Sequence, residues 1–242
     1  MASRHRFNPD RWAIVLIVTA ALVFTGWRWL TEHPEHNPWV PLRLSDRVGW
    51  ATARKLAHLR AEPDECRAFL KRSAIAFTAL PPVGEGTCRR VDRVAPRPDA
   101  ASGLALRPTG AQASCAVSAA LALWLRHSVQ PAARDLLHTR VVAIEHLGTN
   151  NCRRIGGGAT GAWSEHATGN AIDVAGFVLA DGRRVSVLRD WSRPVPEADF
   201  LRTARKGACQ VFATTLSPDY NAAHRDHLHL DQAARHGFGV CR

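Results

Sequence analysis

From residue 12 to residue 27 the chain reads WAIVLIVTAALVFTGW, with no charged side chain. No other stretch restricts the fold so sharply. Residues 12–30 number 19, and as a helix they span roughly 28 Å at about 1.5 Å per residue, close to the apolar thickness of a bilayer. A cleaved signal peptide is the competing reading, but its apolar region is shorter and ends in small residues. Here the run exits through GWRWL, where Trp27 and Trp29 resemble interfacial anchors. Arg4, Arg6 and Arg11 precede it, so the positive-inside rule keeps the N-terminus in the cytoplasm and exports the rest. The expectation is a single-pass inner-membrane protein with its C-terminal domain in the periplasm.

Export sets the reading of the cysteines. Cys66, Cys88, Cys115, Cys152, Cys209 and Cys241 all follow the span, and none forms a C-x-x-C pair. An even, dispersed set in an oxidising compartment predicts three disulfides, while spacing alone does not choose their pairing. Sequential closure is the default guess. The formal net charge of +11 could point to nucleic acid, yet the Lys and Arg residues are scattered and no nucleic-acid module is present. A basic exported domain suits anionic lipid or anionic wall polymer instead.

Residues 1–30 therefore read as a cytoplasmic tip and transmembrane anchor, 31–45 as a Pro- and His-rich linker, and 46–242 as one domain. Its helical part is expected at 46–138, with helices in RVGWATARKLAHLR, PDECRAFLKRS, the apolar run through SCAVSAALALW, and QPAARDLLHT. ALPPVGEGTCRR and VAPRPDAASG are turn-rich. In 139–242, RVVAIEHLG reads as a strand, NAIDVAGFVL-ADG-RRVSVL as a hairpin, PEADFLRTARKGACQVFAT as a helix and DHLHLD as a short strand. The fold class is α+β: a small antiparallel sheet flanked by helices, behind the anchor.

Two segments carry candidate chemistry, SEHATGNAID at 164–173 and HRDHLHLD at 224–231. With 12 histidines in 242 residues, an H-x-H arises by chance about 0.6 times, so alone it says little. Strand alternation says more. His227 and His229 share one face while Leu228 and Leu230 take the other, and Asp173 shares its face with the small Ala171 and Ala175. A turn at Gly169 and Asn170 would bring His166 back towards Asp173. One carboxylate and two imidazoles make a catalytic zinc set with a fourth position open. A cysteine nucleophile is disfavoured, because an oxidised partner explains Cys152, and Ser164 lies in no G-x-S-x-G elbow.

The first segment resembles the S-x-H-x-x-G-x-A-x-D motif of zinc D-Ala-D-Ala carboxypeptidases and vancomycin-resistance dipeptidases. The second is similar to the second metal motif of penicillin-insensitive murein endopeptidases. From Cys66 to Arg242, including PPVGEGTC, LSPDYN and the terminal CR, the chain resembles the bacterial extensin-like C-terminal domain family. This resemblance implies one zinc ion held by His166, Asp173 and His229, with His227 as the catalytic histidine and His224 assisting. The carboxypeptidase branch carries a Glu where this chain has Asp226, which alternation turns away from the metal. Ser164 is expected to support the first motif by a hydrogen bond, and Arg153 to hold a substrate carboxylate. The implied activity is zinc-dependent hydrolysis of an amide bond in peptidoglycan, of the D,D-endopeptidase or carboxypeptidase type. The alternative is a protein that binds peptidoglycan or tethers membrane to wall without turnover. Peptidoglycan and, through residues 12–30, the inner membrane are the expected partners; nucleic acid is not.

Overall fold

The computed structural model describes residues 9–97, 105–235 and 239–242. Arg4 and Arg6, and most of the turn-rich stretch expected beyond residue 97, lie outside the described residues. The apolar run forms α1 (Pro9–Glu32), a 24-residue helix with no buried residue. By length and composition it could cross a membrane, a property it shares with signal sequences. After a helical turn at Pro34–His36 come α2 (Thr52–Ala61) and α3 (Pro63–Arg72). Pro63 opens α3 where a missing N–H costs nothing, and Asp64 with Glu65 oppose the positive end of its dipole. An antiparallel ribbon, β1 (Phe77–Leu80) with β2 (Arg93–Pro96), follows.

The core is built by β3 (Leu106–Arg107), α4 (Cys115–Trp124), α5 (Gln130–Leu137), β4 (Val141–Gly148), β5 (Ala171–Leu179), β6 (Arg184–Ser186), α6 (Val187–Asp190), α7 (Pro196–Val211), β7 (Thr214–Leu216), β8 (Leu228–Asp231) and β9 (Val240–Cys241). Every residue of α4 is buried, which is why its sequence is apolar all round rather than on one stripe. A π-helical turn at Leu125–Val129 leads into α5, whose second residue, Pro131, has no N–H to give. Gly207 lets α7 lie against that turn, since a Cβ there would stand 2.1 Å from Ser128 Oγ.

The central sheet runs β3-β4-β5-β8-β7-β9, with β6 also on β5. It corrects the expected small antiparallel sheet: among the described residues it has seven strands, and the β3–β4 and β7–β9 pairs are parallel. These edge strands have two residues each, too few to show an alternating pattern. One of them, β3, comes from the stretch expected to be helical.

Helices cover one face of the sheet. Ile172, Val174, Leu228 and Leu230 are fully buried on it, and burying each such side chain favours folding by about 1.5–3 kcal/mol. Further along β5, Phe177 meets Trp124 of α4 at 5.7 Å between rings and Phe200 of α7 at 5.1 Å. Strict alternation from Ile172 would put Phe177 on the opposite face, with Asp173. A bulge at Ala175 prevents this: Val174 pairs with His146 and Gly176 with the adjacent Glu145. The extra residue shifts the phase by one. Asp173 and Phe177 thus serve opposite faces of one strand.

All six cysteines are oxidised, as Cys66–Cys115, Cys88–Cys152 and Cys209–Cys241. Sequential closure holds only for the last pair. α3 packs along α4, setting Cys66 against Cys115, while the turn Gly86–Cys88 packs on the turn Glu165–Thr168 and carries Cys88 to Cys152. Tertiary packing, not proximity in sequence, chooses the partner.

Candidate metal centre

Asp173 of β5 and His229 of β8 are directly opposed in the antiparallel register, so their side chains leave the sheet together on the face away from the helices. The third member comes from the turn Glu165–Thr168 just before β5. Ser164 caps that turn, its Oγ accepting from His166 N at 3.3 Å. Gly169 ends the turn in the left-handed region, φ 71°, as a glycine readily does. Asn170 then fastens the turn to the sheet. Its Nδ2 donates to Glu165 Oε2 at 2.6 Å and to Gln232 O at 2.8 Å, and its Oδ1 accepts from Ser114 Oγ at 2.8 Å. His166 is buried as a result.

Three atoms converge. His166 Nε2 lies 3.1 Å from Asp173 Oδ1 and 3.2 Å from His229 Nδ1, which is itself 2.9 Å from Asp173 Oδ1. In a tetrahedral metal site with bonds of about 2.0–2.1 Å, ligand atoms stand about 3.3–3.4 Å apart. The triangle is only a few tenths of an ångström tighter, so it fits one small divalent cation. Burial opposes ionisation of Asp173, but hydrogen bonds from His166 and His229 outweigh it and hold the carboxyl well below its usual range. Burial likewise opposes charge on His229, yet the carboxylates of Asp173 and Asp231 raise its pKa to about 9.

Asp231 was not singled out from the sequence. Its Oδ2 lies 3.1 Å from His229 Nε2, and its Oδ1 accepts from the Ala233 amide at 2.9 Å. A carboxylate on Nε2 keeps a proton there and turns the lone pair of Nδ1 towards the triangle. The signal was present in HLHLD, where Asp231 follows His229 by two residues and must share its face.

His227 also reaches the cluster, its Nε2 3.5 Å from Asp173 Oδ1. It stands one residue before β8 begins, so a turn rather than the strand aims it. Asp226, expected to point away, instead holds His227 Nδ1 at 2.8 Å. His224 sits further out, 5.2 Å from His227 and 6.0 Å from His229 between ring centres, with Nδ1 2.7 Å from Asn221 Oδ1. Burial, then the neighbouring His227 and His229, lower its pKa to about 4. Arg153 is exposed on the loop before the turn, near enough to disfavour charge on His224. Ser164 is buried and acts on the turn's backbone.

No curated protein and no solved structure matches the chain. A family described as "Extensin-like protein C-terminus" matches residues 64–242, which takes in the His166–Asp173–His229 cluster and all three disulfides. The chain belongs to this extensin-like C-terminal family.

Proposed function

We propose that the protein is a zinc-dependent peptidoglycan hydrolase, anchored in the inner membrane by α1, that cuts an amide bond in stem peptides or cross-links from the periplasmic side. The observation carrying this reading is the His166–Asp173–His229 triangle, with His166 buried and the other two half-buried, and a fourth side chain, His227, aimed at it and oriented from behind by Asp226. A purely structural metal site is closed by its own ligands, whereas this one offers three plus a proton-transfer group. Zinc held there would supply Lewis-acid polarisation of the scissile carbonyl.

The rest belongs to the chain's own groups. Asp226 fixes the His227 ring so that Nε2 faces the reacting centre, where an imidazole can take a proton and return it. His224, with its pKa near 4, stays neutral there and adds no charge beside His227. Arg153 is placed to take a stem-peptide carboxylate through paired N–H groups. The three disulfides and an apolar N-terminal helix support the extracytoplasmic placement.

The test uses full-length protein in detergent and purified peptidoglycan. Soluble muropeptides should appear, vanish with chelator and return with zinc. Wall binding without release, in zinc as in chelator, would favour the non-catalytic tether instead.

A further inference from the structure

Eight tryptophans occur in the chain, and their distribution is uneven. Trp124 is fully buried, whereas Trp39 and Trp50 are 75% and 61% exposed although neither belongs to α1. An indole is a large apolar surface with one polar handle, and exposing it to water is unfavourable. Both are fixed to the end of α1.

Asn37 joins Trp39 to it: Asn37 Nδ2 donates to Leu30 O at 3.2 Å while its Oδ1 accepts from Trp39 N at 3.0 Å. Trp50 is joined by a stack of rings. The Trp29 indole lies 5.3 Å from His36, and His36 lies 6.2 Å from Trp50. Backbone and side-chain contacts lock the same region, with Ala51 N donating to Glu35 O at 3.2 Å and Lys55 Nζ to Pro34 O at 2.7 Å. Gly49 permits this, since a Cβ there would meet Glu35 O at 2.5 Å. Segment 34–55 is thus seated on the last turn of α1. Trp27 and Trp29 of that turn are exposed as well.

Indoles at the end of an apolar helix mark the headgroup layer of a bilayer. Trp39 and Trp50 are tied to that same end of the helix, but from the globular side. The exposed Arg54 borders the same cleft of about 580 Å³ as Trp39, together with Glu62 and an Arg72-paired Glu65, so a cation able to meet lipid phosphate stands near an indole. A protein partner would need no such link to the span.

We propose that Trp39 and Trp50 form a second membrane contact, seated in the headgroup layer of the leaflet from which α1 emerges, with Arg54 against lipid phosphate. The domain then rests on the bilayer instead of hanging from a stalk. This rests on α1 being retained as a span.

The full-length protein is placed in nanodiscs of phosphatidylethanolamine and phosphatidylglycerol, with and without bromine on the acyl chains. The parent is compared with W39F/W50F, whose circular dichroism should match it, and the difference in emission isolates the two indoles. The difference should be quenched by brominated lipid and sheltered from iodide in solution. Quenching by iodide alone means that the indoles face water; shelter from both quenchers means that protein covers them. Either result overturns the proposal. Intact mass separates the two readings: a mature chain lacking α1 removes the anchor and the proposal together, while an intact chain with iodide-quenched indoles removes only the proposal.

Discussion

Asp231 and Asp226 do the same work on two histidines of opposite duty. Asp231 sets His229 to present Nδ1 to the triangle with His166 and Asp173, and Asp226 sets His227 to present Nε2 beside it. In the metal-free protein His229 is protonated at neutral pH, because its pKa is raised to about 9. A metal taking Nδ1 must expel that proton. Zinc affinity should therefore climb about tenfold per pH unit from about 7 to about 9 and flatten above. Near pH 7.5, calorimetry in buffers of different ionisation enthalpy should find close to one proton released from this ring. Asp231→Asn should weaken zinc binding by about 10–100-fold and reduce that release, since a carboxylate raising the His229 pKa is gone. An unchanged affinity would leave Asp231 a merely structural residue. His227→Ala should behave in the opposite way, retaining zinc while muropeptide release falls by about 10²–10⁴. Parent-rate turnover in that variant would remove His227 from the chemistry. The pairing of Asp173 with His229 was legible because strand alternation turns both to one face, whereas His227 reaches that face from the turn before β8. The Asp226 contact was not, because the turn at residues 224–227 breaks the alternation from which its direction was read.

At the level of elements, the loops that carry His166 and His227 need support that the strands do not. The Cys88–Cys152 bridge ties the turn Gly86–Cys88 to the loop leading into His166. Cys66–Cys115 instead joins α3 to α4, with both residues fully buried in the core. Their loss should have different consequences. On the chain-entropy model each closes a loop worth about 4 kcal/mol, but removing Cys66 and Cys115 also opens a cavity. C66A/C115A should thus show the larger fall in melting temperature. C88A/C152A should keep more of its stability yet bind zinc more weakly, because the ordering of the His166 turn is lost before binding begins. Thermal unfolding and metal titration of the two variants check this; equal zinc affinities would detach the bridge from the site. β4, the β5–β6 hairpin and α7 were readable from periodicity, since each is long enough to repeat. β3, β7 and β9 have two or three residues each and exist through pairing with distant strands. The bulge at Ala175 leaves no mark in composition, yet it decides which way Phe177 faces.

On the scale of the whole molecule, the end of α1 and the His166–Asp173–His229 cluster lie on opposite sides of the sheet. The turn Pro34–His36 that follows α1 is tied to α2, α2 packs on α4 and α7, and those helices cover one face. Asp173 and His229 leave the other face. A protein held by its helical layer would therefore turn the site away from the bilayer and towards the wall. The chain also carries a formal net charge of +11, while peptidoglycan stem peptides bear free carboxylates. Long-range attraction of this kind speeds encounter without touching the chemical step. Its reach is set by the ionic atmosphere, with a screening length of about 10 Å at about 0.1 M salt and about 3 Å at about 1 M. Raising the salt across that range should lower kcat/KM for peptidoglycan several-fold and leave kcat at saturation nearly unchanged. Zinc content should stay constant throughout, because the triangle's contacts are about 3 Å, no longer than the shortest of these screening lengths. Were kcat to fall with kcat/KM while zinc stayed bound, the charge would be acting at the site itself, through Arg153 beside His224, rather than through the field of the whole domain.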